Sequence, residues 1–219
     1  MTFKEDIGNS LKVLHNGGVI LYPTDTVWGL GCDATDNEAV ERIFRIKSRN
    51  DKKSLIILVN SEAMVERYVK DIPEIARELI EVSERPLTII YPGAKNLAPS
   101  ITAEDGSVGI RVCMDEFCNE LIGRFRKPII STSANISGEP SPSHFIEISE
   151  KIIQSVDYTV EYKRDDRQEH RPSPIIKVEL NNVIKIIRKY TILILHGLIL
   201  RLLHLLLDFQ YNLHFRCRK

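Results

Sequence analysis

Cysteine is scarce and wrongly spaced for metal. Cys32, Cys113, Cys118 and Cys217 form no CxxC pair and share no zinc-type register with histidine, which excludes a structural zinc module and argues against a disulfide scaffold. A surplus of one charge sign is missing too. Thirty Lys and Arg balance thirty Asp and Glu, so the chain lacks the cationic excess through which many proteins hold nucleic acid by counterion release. The amino terminus places Lys4, Glu5 and Asp6 ahead of any apolar stretch, the reverse of a secretory signal. The longest uncharged run near the carboxyl end, 190–200, falls well short of the roughly 20 residues that cross a bilayer. No transmembrane segment and a reducing, cytoplasmic setting are expected. Internal repeats are absent as well.

What remains is an ordinary globular composition, 43% hydrophobic and 27% charged over 219 residues, enough for one domain with a substantial core. Ile7, Leu11, Val13 and Leu14 predict a helix stopped by Gly17-Gly18, followed by a short buried strand over 19–22 that Pro23 ends. Asp36 is placed to cap a helix whose inner face is Val40, Ile43 and Phe44. Strands are expected over 55–59, 87–91, 108–112 and 128–130, with helices over 61–69, 73–82 and 117–125. A hairpin over 175–178 and 183–187 turns at Asn181-Asn182. The two periods alternate, the signature of an α/β fold. The charged, proline-bearing stretch 163–174 reads as a surface loop.

Residues 190–219 differ in kind. They are rich in Leu and Ile, with Gly197, Arg201, His204 and Asp208 at spacings that put one narrow polar stripe on a helix. The reading is a domain over 1–189 and an apolar extension over 190–219, either a docking helix or a non-native addition. The extension holds more basic than acidic residues, which leaves the domain slightly acidic.

Three segments carry candidate chemistry. Tyr22-Pro23-Thr24-Asp25-Thr26-Val27-Trp28-Gly29-Leu30-Gly31 leaves a strand with hydroxyls, a carboxylate and glycines close together; this mix suits close approach to a small polar ligand, and equally a turn that satisfies its own backbone. Lys47, Arg49, Lys52 and Lys53 cluster between a helix end and a strand, where they could converge on phosphates or simply complement the helix dipole. Ser131-Thr132-Ser133-Ala134-Asn135-Ile136-Ser137-Gly138 leaves another strand with short polar side chains able to ring a phosphate or ribose, or to bond among themselves. None has the GxxxxGK[ST] form of a P-loop.

In this order and at these separations, the three segments resemble the YrdC-like family of threonylcarbamoyl-AMP synthases. The resemblance extends over about 7–188 and takes in Arg85-Pro86-Leu87-Thr88, Ser107 to Val112 and Arg171 to Ile176. It implies a single domain with a twisted mixed sheet, flanking helices and a concave pocket. The implied activity joins L-threonine, bicarbonate and ATP, normally with Mg2+, into threonylcarbamoyl-AMP and pyrophosphate for the t6A modification of tRNA. Downstream transfer machinery would take the product. By resemblance, ATP is assigned to Lys47, Arg49, Ser133 and Asn135, with Lys53, Ser107, Ser141 and Arg188 as additions. Threonine is assigned to Thr26 and Arg111, the latter facing its carboxylate, with Ser131 and Ser173 as helpers. No general base and no protein metal ligand are assigned. The chain departs from the family at Ser48 and Asn50, which stand where Gly and Pro are frequent, at Leu58, often His, and at Pro174, usually Thr. Two alternatives stay open: a non-catalytic module for double-stranded RNA or tRNA, and a YciO-like paralogue of different activity.

Overall fold

The computed structural model describes residues 2–48 and 55–189. In chain order these form α1 (Phe3–His15), β1 (Ile20–Tyr22), β2 (Gly29–Gly31), α2 (Asn37–Ile46), β3 (Ile56–Val59), α3 (Glu62–Val65), α4 (Glu74–Val82), β4 (Thr88–Tyr91), β5 (Val108–Val112), α5 (Glu116–Phe125), β6 (Ile129–Ser133), α6 (Glu150–Ser155), β7 (Tyr158–Thr159), β8 (Ile175–Val178) and β9 (Ile184–Arg188). Helix starts follow local chemistry. Thr2 and Glu5 close a capping box on α1, Asp36 accepts from two amides at the head of α2, and the Asp115 carboxylate accepts from Cys118 N at 3.1 Å to start α5.

The strands make one mixed sheet in the order β7-β1-β2-β6-β3-β5-β4-β8-β9. Its registers sort the side chains. Ile56 lies opposite Gly109 and Ser131, and Gly109 opposite Ile90, so these four share a face; Ile57, Ile110, Ile89 and Ile130 share the other. The second set is buried, with Ile89 and Ile110 lying beside Ile80 of α4. The first set opens onto a cavity. Alternation along four strands thus separates a packed side from a ligand-sized hollow.

Several elements differ from expectation. The helix expected over 61–69 stops at Val65, and Val69 instead bridges Ala94. The strand expected over 128–130 continues through Ser133, so the hydroxyls of 131–133 stand on a strand rather than a loop. Strand β2, buried despite its glycines, has no hydrophobic run to announce it. Helix α6 and strand β7 were also not expected. The 163–174 stretch carries only turns, and the hairpin of β8 and β9 forms as read. The apolar extension, 190–219, lies outside the described residues.

Glycine at 31 is a packing requirement of the sheet centre. The ring of Tyr22 lies across it while the Tyr22 hydroxyl donates to Ile130 O at 3.0 Å. A Cβ at Gly31 would sit 2.5 Å from Tyr22 Cε1 and 2.9 Å from both Ile129 Cγ2 and the Ile130 carbonyl oxygen. Gly31→Ala is expected to lower stability by about 2–3 kcal/mol, the upper part of the range of about 1–3 kcal/mol for overpacking a core. Denaturant unfolding of the variant checks this; an unchanged midpoint would show that Tyr22 swings aside freely.

Candidate active site

Ten of the twelve residues assigned from sequence line one cavity of about 570 Å³: Thr26, Lys47, Ser107, Arg111, Ser131, Ser133, Asn135, Ser141, Ser173 and Arg188. This lies within the range of small-molecule sites. The other two, Arg49 and Lys53, lie outside the described residues. Apolar walls come from Ile56, Ile90, Val108 and Ile175, and the polar groups gather at two ends.

At one end the helix α2 delivers Lys47. It is buried, and Nζ donates to the Ser133 carbonyl at 2.5 Å and the Asn135 carbonyl at 2.8 Å, with Asn135 Oδ1 at 3.4 Å. The lysine carbonyl in turn accepts from Ser137 N at 3.1 Å. Ser133 Oγ donates to Asn135 Oδ1 at 2.5 Å, and the Asn135 amide nitrogen reaches the Glu139 carbonyl at 2.6 Å. A cation and a curled hydroxyl-rich segment are therefore held as one unit. Ser48, next in the chain, has φ 51°, the left-handed conformation that glycine adopts without strain; this is why glycine would suit the position.

At the other end stands Arg111, only 3% exposed, brought by β5 beside the turn that follows β1. Its Nη2 lies 3.0 Å from Asp25 Oδ1 and 3.5 Å from Thr24 Oγ1, and its Nη1 donates to Ser173 Oγ at 3.4 Å. The Asp25 contact is an ion pair without hydrogen-bond alignment: Arg111 Nε and Asp25 Oδ1 are both buried with no hydrogen-bond partner among the described residues. Ser173 Oγ also pairs with Thr88 Oγ1 at 2.7 Å, and Thr24 Oγ1 with Thr26 Oγ1 at 3.0 Å. Arg188 of β9 closes this end, donating twice to the Ser173 carbonyl at 2.6 and 2.9 Å. Burial and, next, the neighbouring Arg111 charge push the Arg188 pKa down. Two guanidinium groups facing one small space with donors to spare form a receptor for an anion.

A model of the Sua5/YciO/YrdC family, described as telomere recombination, matches residues 12–189. The chain belongs to this family. It is 34% identical over 175 residues to a Coxiella burnetii protein named threonylcarbamoyl-AMP synthase, covering 79% of this chain and 92% of that one. Among solved structures it resembles P. abyssi Sua5 complexed with L-threonine, with 32% identity, a TM-score of 0.70 and coverage of 78% of this chain; it spans 50% of that longer chain. E. coli YciO shares the fold, with a TM-score of 0.74 at 23% identity over 86% of this chain and 90% of its own.

As a Sua5/YciO/YrdC protein the chain has features its sequence did not disclose. Asp25 stood in the first motif without a role, and its pairing with Arg111 joins residues far apart in the chain, which no spacing rule reveals. Leu58 is fully buried beside Arg111 in the β3–β5 register and does not line the cavity. The Pro174 carbonyl accepts from Thr88 N at 3.1 Å, which holds β8 against β4. Among the described residues no cluster of His, Cys, Asp and Glu could hold a metal, the three cysteines are free and buried, and no helix is long and apolar enough to cross a membrane.

Proposed function

We propose that this protein is a nucleotidyltransferase that makes threonylcarbamoyl-AMP and pyrophosphate from L-threonine, bicarbonate and ATP in the cytoplasm. The observation that carries the reading is the two-ended cavity, with paired guanidinium groups at one end and a lysine-organised hydroxyl segment at the other, in a chain whose relatives are named for this product. Threonine would set its carboxylate on Arg111, with Thr26, Ser131 and Ser173 around it. ATP would lie toward Lys47, Ser133, Asn135 and Ser141 with Ser107, and would reach Arg188 at the arginine end. Arg49 and Lys53 would add charge from the neighbouring segment. Magnesium, in this reading, arrives on the nucleotide's phosphates.

The threonine amine, in its neutral form, adds to bicarbonate and loses water to give a carbamate. A carbamate oxygen then attacks the α-phosphorus, and the bond to the β-phosphate oxygen breaks as pyrophosphate leaves. Nothing in these steps requires a protein nucleophile. Holding three reactants in line accounts for about 7–11 kcal/mol of barrier lowering in well-oriented systems, and the fixed cations offset charge gathering at phosphorus. The walls built by Ile56, Ile90 and Val108 limit water around the carbamate. The product would pass to machinery that transfers it to tRNA for t6A.

The test is pyrophosphate release by purified protein with ATP, Mg2+ and bicarbonate. Release is expected to depend on threonine, to fall at least about tenfold with serine, whose missing methyl is worth about 1–3 kcal/mol, and to stop without bicarbonate. Folded protein that releases no pyrophosphate under any of these conditions would defeat the reading.

A further inference from the structure

The cavity has two neighbouring arginines, Arg111 and Arg188, yet among the described residues only Arg111 is paired to an acid. Asp25 does not line the cavity. Its side chain is 6% exposed, its Oδ2 accepts from Met114 N at 3.1 Å, and its Oδ1 stands 3.0 Å from Arg111 Nη2. Met114 follows the same strand that carries Arg111, and Asp25 lies in the turn that carries Thr24 and Thr26. One carboxylate thus touches the end of β5 through the backbone and the side chain of β5 through its charge. The contacts holding Arg111 on its other sides are long, 3.4 Å to Ser173 Oγ and 3.5 Å to Thr24 Oγ1, and neither partner carries charge.

We propose that Asp25 is a positioning residue, which fixes the Arg111 guanidinium from behind so that its remaining donors meet the carboxylate of the amino-acid substrate in one orientation. The assignment rests on the threonine reading given above. A guanidinium has five N–H donors in a rigid fork; with Arg111 Nε buried, the Nη donors not turned toward Asp25, Ser173 and Thr24 serve the ligand. The same pairing sets the charge balance. With Asp25 ionised, Arg111 and Arg188 together leave a net single positive charge, matched to one carboxylate; without it, two would face the ligand and the fork would be free to rotate.

Asp25→Asn isolates the effect. Asparagine keeps a carbonyl oxygen for Met114 N but loses the charge that holds Arg111. Calorimetric titration of the full chain with threonine is expected to show affinity weakened at least about tenfold, with ATP affinity within twofold of the parent. Steady-state assays should show KM for threonine rising by a similar factor and kcat falling less. Asp25→Glu, which restores the charge, is expected to recover threonine affinity to within about threefold. A loss that strikes ATP and threonine alike would mark Asp25 as a general structural residue, and threonine bound as tightly or more tightly by Asp25→Asn would overturn the proposal outright. Nitrogen-15 NMR of the Arg111 Nε–H supplies a readout independent of substrate: slow guanidinium rotation in the parent, faster rotation in Asp25→Asn. If the parent fails to bind threonine, the functional reading falls while this measurement still decides the pairing, and an unchanged rotation rate defeats it.

Discussion

Lys47→Ala is expected to lower threonine-dependent pyrophosphate release by about 1,000-fold, the loss typical of removing a fixed donor or charge at a reacting centre. The geometry gives the lysine two tasks. Its Nζ is bound to the carbonyls of Ser133 and Asn135, and its own carbonyl accepts from Ser137 N. Truncation leaves those acceptors without their cationic donor, at a cost of about 1–3 kcal/mol for each buried group left unpaired, and releases the segment that carries Ser133, Asn135 and Ser141. It also deletes the one cation among the described residues at that end of the cavity. Both losses fall on ATP, so KM for ATP should rise along with the fall in kcat while threonine binding persists. Lys47→Arg separates the tasks: it keeps the charge but replaces a compact ammonium with a planar fork that three converging oxygens do not fit. Activity between the parent and Lys47→Ala is expected. A Lys47→Ala variant that keeps more than a tenth of parental activity would show that neither the charge nor the loop anchor matters to turnover.

How far the sequence disclosed this site depends on which physical signal each part leaves. Hydrophobic periodicity is local, so β5 appears within the bounds read from Val108 and Val112, and α2 follows its Asp36 cap and its Val40, Ile43 and Phe44 face. Strand β2 leaves no such signal, because Gly29 and Gly31 are there for space: a Cβ at Gly29 would stand 3.3 Å from Ser131 Oγ, and one at Gly31 would collide with Tyr22. Its burial comes from neighbours, which a single sequence does not show. The cavity residues were found because their segments resemble a family as a set; taken singly, the Ser/Asn segment and the lysine cluster have innocuous readings. Asp25 escaped assignment because its partner, Arg111, arrives from another strand, and a carboxylate in a turn usually serves the turn. Convergence of distant strands is the information that folding adds.

The same pair yields the second large effect. Arg111→Met preserves much of the side-chain volume but strands the Asp25 carboxylate, 6% exposed, with only the Met114 amide beside it. Breaking a buried pair from one side costs about 3–5 kcal/mol, since the remaining charge has lost its counterion. Threonine binding should vanish with it. The two variants are unequal, however: asparagine at 25 keeps an acceptor for Met114 N, whereas methionine at 111 keeps none of the arginine's donors. Asp25→Asn alone should therefore cost less than Arg111→Met. Adding Asp25→Asn to Arg111→Met should return about 2–3 kcal/mol, because the orphaned charge is gone, without restoring threonine binding. Urea unfolding of the parent, both single variants and the double variant measures the coupling. Additive losses across this cycle would mean that the 3.0 Å contact between Asp25 and Arg111 contributes no interaction energy, and stability recovered together with threonine affinity would mean that the carboxylate of the substrate is bound without Arg111.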